Sequence, residues 1–171
     1  MVTPAAILIG PPGAGKSTIG ALLAARLDLP FDDTDAAIEQ VEGRPIPDIF
    51  IDSGESYFRE VERAVVLRDL GTHEGVLSLG GGAPMDPEVQ RALTDLRVIF
   101  LDVGIADAAR RVGFDQSRPL LSVNPRASWV ALMNARRATY ENLAWRRVDT
   151  AGRTPDEVVE EIVVLLAEAA P

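Results

Sequence analysis

The chain predicts an α/β protein, a parallel sheet with helices packed on both faces. Three observations carry that expectation. Short apolar runs alternate with stretches of helical spacing along the whole length, the pattern of repeated strand–helix–strand crossovers. The first apolar run is followed at once by a glycine-rich turn and then a helix. The 171 residues, 47% hydrophobic and 25% charged, suit one domain (1–171) with a substantial buried core.

The elements follow in order. "AAILI" (residues 5–9) reads as a buried strand, and Ser17 to Leu27 as a helix with apolar Ile19, Leu22, Leu23 and Leu27. "LPFDD" holds a short second strand. Ala36 to Glu42 is a helix ended by Gly43, and Glu55 to Leu70 a longer one with Phe58, Val61 and Val65 on one face. "VLSL" (76–79) is a strand running into Gly80, Gly81 and Gly82. Pro87 to Leu93 is helical, "RVIFLDV" a central strand, and Ile105 to Val112 a helix. Residues 113–125 carry Gly, Pro and Asn and read as a loop. Ala127 to Trp145 is helical and "RVDT" is a last short strand. Thr154 or Asp156 caps a final helix to about Ala169. Ligands of such sheets sit beyond the carboxyl ends of the strands, where Asp33, Gly80 and Asp102 all fall.

Composition excludes several classes. A net charge of −9 argues against non-specific binding to nucleic acid or to an acidic membrane surface, though not against a small anion. With no cysteine there is no disulfide framework, thiolate metal site or cysteine nucleophile. One histidine, His73, cannot build a multi-histidine zinc site and reads as a loop residue. "MVTPAAILIG" has no basic start, and its apolar run stops at Gly10, too short for a secretory leader. No stretch reaches the roughly 18 apolar residues of a membrane span. The expectation is a soluble, cytoplasmic protein.

Lys16 is the only lysine, among sixteen arginines. It lies in Gly10-Pro-Pro-Gly-Ala-Gly15-Lys16-Ser17, the phosphate-binding pattern G-x-x-x-x-G-K-[ST], with a strand before it and a helix after. Backbone N–H groups of such a loop converge on phosphate oxygens, aided by the helix N-terminus. Lysine suits the place as a compact charge on a flexible stem, where arginine's planar fork is too bulky. Ser17 offers a hydroxyl to Mg²⁺. The loop alone says only nucleoside triphosphate.

Other groups gather around it. "FDDTDAAIE" sets Asp33 and Asp35 at the end of the second strand, either as ligands to a metal's water and to a polyol or within a helix cap at Thr34 or Asp35. Arg59 and Glu62 are helix neighbours, either a surface ion pair or a carboxylate clamp. Gly80, Gly81 and Gly82 suggest backbone that approaches a ligand closely. Arg118 lies in a loop long enough to act as a lid (113–125) that brings a cation to a transferring phosphoryl group. Arg136 and Arg137 follow on a helix.

In this order and spacing, "GPPGAGKST", "DTDAAIE", "GESYFR", "LSLGGGA", "RPLL", "RRATYE" and "VDT" resemble shikimate kinase, of the nucleoside-monophosphate-kinase-like group of P-loop proteins, over nearly the whole length. The resemblance implies a three-layer α/β/α fold with a five-stranded parallel sheet of order 2-3-1-4-5. It implies ATP-dependent phosphorylation of the 3-hydroxyl of shikimate on the route to chorismate and aromatic amino acids, with Mg²⁺, by a monomer. It assigns Lys16, Asp33 and Arg118 to catalysis, and Ser17 and Asp33 to the metal. Gly13, Ala14, Gly15, Lys16, Ser17, Thr18, Arg111, Arg118, Arg153 and Pro155 go to ATP, with Arg111 and Pro155 flanking adenine. Asp35, Arg59, Gly80, Gly81, Gly82 and Arg136 go to shikimate, supported by Phe50, Phe58 and Glu62 within an acid-binding region at 34–62. Two departures stand out: this chain has Arg136-Arg137-Ala138-Thr139-Tyr140 where the family has Arg-x-Pro-Leu-Tyr, and the stretch after "VDT" differs. Counting back from Tyr140 selects Arg136 as the second clamp, and counting forward from Arg118 selects Arg137. A gluconate or nucleoside monophosphate kinase is the nearest rival, and a non-catalytic nucleotide-binding module a more distant one.

Overall fold

The structure, a computed structural model, describes residues 2–112 and 124–169. Among the described residues five strands alternate with seven helices: β1 (Ala6–Ile9), α1 (Lys16–Leu27), β2 (Phe31–Asp33), α2 (Thr34–Glu42), α3 (Ile46–Thr72), β3 (Val76–Ser78), α4 (Pro87–Leu93), β4 (Val98–Asp102), α5 (Ile105–Val112), α6 (Pro125–Leu143), β5 (Arg146–Asp149) and α7 (Pro155–Glu168). A 3₁₀ turn, Ala83–Met85, precedes α4. The sheet order is β2-β3-β1-β4-β5 and every pair is parallel, so the fold is the expected three-layer α/β/α.

A parallel sheet covered on both faces needs strands that are apolar throughout. β1 meets this demand fully, and β3 and β4 do so up to their last residues, the buried polar Ser78 and Asp102; every residue of the three strands is buried. The central register pairs Ile7 with Leu77 on one side and with Val98 on the other. Among the described residues, no helix is long and apolar enough to cross a membrane.

The main departures of the elements from expectation are three. α3 starts at Ile46 rather than Glu55, because it is two helices joined across a kink at Gly54 (φ 83°, ψ 170°). Pro47 and Gly54 hide the earlier half from periodicity, since proline fits the first helical turn but reads as a breaker. That half folds onto α2 around a small core of its own, Ala37, Ile38, Ile49, Phe58 and Val65, with the Phe50 and Phe58 rings 4.6 Å apart. α6 begins at Pro125, inside the span read as a loop, because Asn124 caps it by accepting from Ala127 N–H; residues 113–123, including Arg118, lie outside the described residues. The 3₁₀ turn after the three glycines was not expected. Of the two caps read for α7, Thr154 is the one that acts, in a reciprocal capping box with Glu157.

Candidate active site

The loop after β1 turns at Gly15 (φ 88°), directly before α1. Lys16 Nζ donates to the carbonyls of Gly10 (2.8 Å) and Pro11 (3.1 Å). Ser17 Oγ donates to Asp33 Oδ2 at 2.5 Å. Asp33 Oδ1 accepts the Asp35 N–H at 2.9 Å, so Asp33 itself caps α2, and the alternative of a cap at Thr34 or Asp35 does not hold. Thr34 is buried, and its hydroxyl instead accepts the Gly80 N–H at 3.1 Å, tying α2 to the glycine turn. Mg²⁺ prefers oxygen ligands and is held through one or two carboxylates beside phosphates and water. Ser17 and Asp33 fit that demand. Among the described residues no group of three or more His, Cys, Asp or Glu could hold a metal.

A cavity of about 630 Å³ opens here. Its wall takes in Gly13, Gly15, Lys16, Ser17 and Thr18 from the loop, Asp33, Asp35 and Gly81 on one side, and Arg111, Arg153 and Pro155 on the other. Ala14 is fully buried and its N–H donates to Pro11, so it forms part of the loop's own frame. Arg111 donates to Gly13 and Ala14 carbonyls (3.2 and 3.4 Å) and grips Thr150 through both its hydroxyl and its carbonyl (3.0 and 2.8 Å). Burial, with Arg110 adjoining, lowers the Arg111 pKa from the usual guanidinium value. Arg153 donates to the carbonyls of Asp149 and Glu157 and to Glu161, fixing the entry to α7, where Pro155 is the first residue.

Gly80, Gly81 and Gly82 each make room for a different group. A Cβ at Gly80 would lie 2.6 Å from Asp35 Oδ1 and 3.1 Å from Glu62 Oε2. One at Gly81 would lie 3.2 Å from Arg136 Nη1 and 3.6 Å from the Tyr140 hydroxyl, and one at Gly82 would run into the Arg59 guanidinium. Arg59 and Glu62 meet at 2.7 Å, and Glu62 is only 4% exposed, so this is no surface ion pair. Burial pushes the Glu62 carboxyl above its ordinary pKa, against the pull of Arg59. The charges of Arg59 and Arg136 both reach Glu62 and Tyr140. Burial likewise raises the Tyr140 phenol, which donates to the Gly81 carbonyl at 2.6 Å.

Neighbouring Arg137 is engaged elsewhere. It pairs with both oxygens of buried Asp102 (3.0 and 3.2 Å), and Arg147 reaches the same carboxylate at 2.7 Å. Burial works to raise the Asp102 pKa, but hydrogen bonds from Arg137 and Arg147 and their charges hold it below the usual carboxylate range. Sequence reasoning singled out Arg137 but not its pairing with Asp102, nor Arg147, Thr150 or Trp129, because their contacts join segments tens of residues apart. Tyr140 has a readable signal of its own, since a tyrosine four positions after an arginine on a helix lies beside it.

A sequence profile of the shikimate kinase family matches residues 12–167. Shikimate kinase from Streptomyces coelicolor is 48% identical over 160 residues, covering 94% of both chains. Shikimate kinase from Acinetobacter baumannii, solved in complex with shikimate, superimposes with a TM-score of 0.93 at 30% identity, covering 100% of this chain and 97% of that one. A gluconokinase from Sinorhizobium meliloti 1021, at 19% identity and a TM-score of 0.59 over 96% of this chain and 92% of that one, shares the fold alone. Matched over nearly its whole length in sequence and in structure, the chain belongs to the shikimate kinase family.

Proposed function

We propose that this cleft divides the work of its family's reaction between two ends, with the phosphate loop holding ATP and Arg59 with Arg136 holding the carboxylate of shikimate. The reaction is ATP-dependent phosphorylation of shikimate at its 3-hydroxyl, with ADP released. The observation that supports this division is the placement of Arg59, Arg136 and Asp35 against three successive glycines that adjoin the loop cavity. Phosphoryl transfer passes through a loose transition state, so the protein contributes mainly position and charge. Lys16 steadies the phosphates of ATP, with Gly13, Gly15 and Thr18 offering backbone and Ala14 keeping the loop in shape. Arg111, Arg153 and Pro155 form the nucleotide's other wall. Mg²⁺, when bound at Ser17 and Asp33, neutralises phosphate charge. Asp33 accepts the proton of the attacking hydroxyl, and Asp35 orients the ring hydroxyls. Gly80, Gly81 and Gly82 let the ring approach the backbone. A neutral polyol would bring no carboxylate to Arg136, nor to the N–H donors that Arg59 has beyond its bond to Glu62, which gives the site its preference. Arg118 and the 113–125 lid keep the roles that the family resemblance implies, as do region 34–62 for the acid and residues 1–171 as one domain. The chain acts as a monomer in the cytoplasm, without nucleic-acid or membrane partners.

ADP release in a coupled assay, with Mg-ATP and shikimate, gluconate or AMP, tests this. Turnover with shikimate alone is expected. Turnover with gluconate or AMP would overturn the arginine clamp. Lys16→Ala and Asp33→Ala should each abolish turnover, and Arg59→Ala should chiefly raise the KM for shikimate.

A further inference from the structure

Five consecutive carbonyls of the phosphate loop, from Gly10 to Ala14, accept hydrogen bonds from side chains. Lys16 takes Gly10 and Pro11, and Arg111 takes Gly13 and Ala14. The carbonyl between them, that of Pro12, accepts the indole Nε1–H of Trp129 at 2.8 Å, in a buried contact between residues 117 positions apart. Trp129 is 4% exposed, near the start of α6.

The Pro12 carbonyl and the Gly13 N–H belong to one planar peptide unit and point in opposite directions. Holding the carbonyl therefore sets where the Gly13 N–H points, and Gly13 lines the cavity. That peptide needs holding, because Gly13 has φ 84° and glycine tolerates either sense of rotation. The two charged side chains that hold the flanking carbonyls, Lys16 and Arg111, lie in the cavity wall. The indole is uncharged and enclosed.

We propose that Trp129 is a positioning residue for nucleotide binding, its indole N–H fixing the Pro12–Gly13 peptide so that the Gly13 amide faces the phosphates. This rests on the reading that the loop binds ATP. Removing the donor leaves a buried carbonyl without its partner and frees the peptide to rotate.

The test compares wild type, Trp129→Phe, and the full chain with benzothienylalanine at 129, where sulfur replaces the ring N–H and the shape is kept. The expected result is a KM for ATP raised about tenfold in both variants, with the KM for shikimate within about twofold of wild type. Incorporating 5-fluorotryptophan, which retains the N–H, should leave the KM for ATP at the wild-type value. An unchanged KM for ATP in the benzothienyl protein would overturn the proposal, as would equal rises for both substrates. Calorimetry of Mg-ATP binding to wild type separates the two readings: no binding there removes the loop assignment itself, whereas tight binding that the benzothienyl protein matches removes only the role of Trp129.

Discussion

Single residues in this cleft are sorted by burial and by partner. Arg136 and Arg137 are adjacent in sequence and chemically identical, yet consecutive helix positions face different ways. Arg136 stands against Gly81, while Arg137 neutralises Asp102. Arg136→Ala should raise the KM for shikimate at least about tenfold with little change in Tm, since it removes the charge-assisted contact proposed to hold the acid. Arg137→Ala should do the reverse, costing about 1 kcal/mol because half-exposed Arg137 shares a buried carboxylate with Arg147. Steady-state kinetics and thermal melts of both variants decide the assignment. Asp102 also has a pH signature. Its pKa is lower folded than unfolded, so the unfolded state binds its proton more readily in the acid range. Its contribution is complete above the ordinary Asp value of about 3.9 and is lost as pH falls through the folded value. The Tm gap between wild type and Asp102→Asn should therefore shrink from pH 6 down to pH 3; a constant gap would show that its charge is not what stabilises.

At the scale of elements, the region proposed to bind the acid is shaped by one backbone irregularity. Gly54 (φ 83°, ψ 170°) breaks α3 in two, so that its first half closes over α2 while its second half carries Phe58, Arg59 and Glu62 to the glycine turn. A Cβ at Gly54 would meet nothing within 4 Å, so the cost of Gly54→Ala is backbone strain alone, about 1–3 kcal/mol. The expected outcome is a lower Tm together with a raised KM for shikimate and an ATP KM near wild type. Movement of the ATP constant alone would mean that the kink does not serve the acid site. α7 offers a counterpart at the other wall: Thr154→Ala removes half of the capping box and should cost about 1 kcal/mol by denaturant melts.

For the whole molecule, the unusual base composition becomes a tool. Lys16 is the sole lysine of 171 residues, so an amine-reactive reagent finds one side-chain target, and that target lies in the phosphate loop. Modification should abolish turnover at one side-chain adduct per chain, and Mg-ATP should protect, as peptide mapping by mass spectrometry would read. Full activity in the singly modified protein would count against Lys16 as the phosphate-binding cation. Sedimentation should give a monomer's mass near 18.4 kDa at working concentrations.

What the sequence by itself determined was whatever short-range chemistry dictates. The phosphate loop, the parallel sheet with buried β1, β3 and β4, the Gly43 stop and the Thr154 alternative are all written in neighbouring residues, because apolar periodicity, glycine turns and caps act over a few positions. The same locality misled where Pro47 and Gly54 looked like the absence of a helix and Pro125 looked like loop. Only the tertiary structure decided which arginine faces the glycine turn, that Glu62 is buried, that Asp33 joins Ser17 while capping its own helix, and that Trp129 holds the Pro12 carbonyl. Those outcomes depend on helix rotation and on contacts between segments brought together by the sheet order, and desolvation of a side chain exists only once its surroundings have assembled.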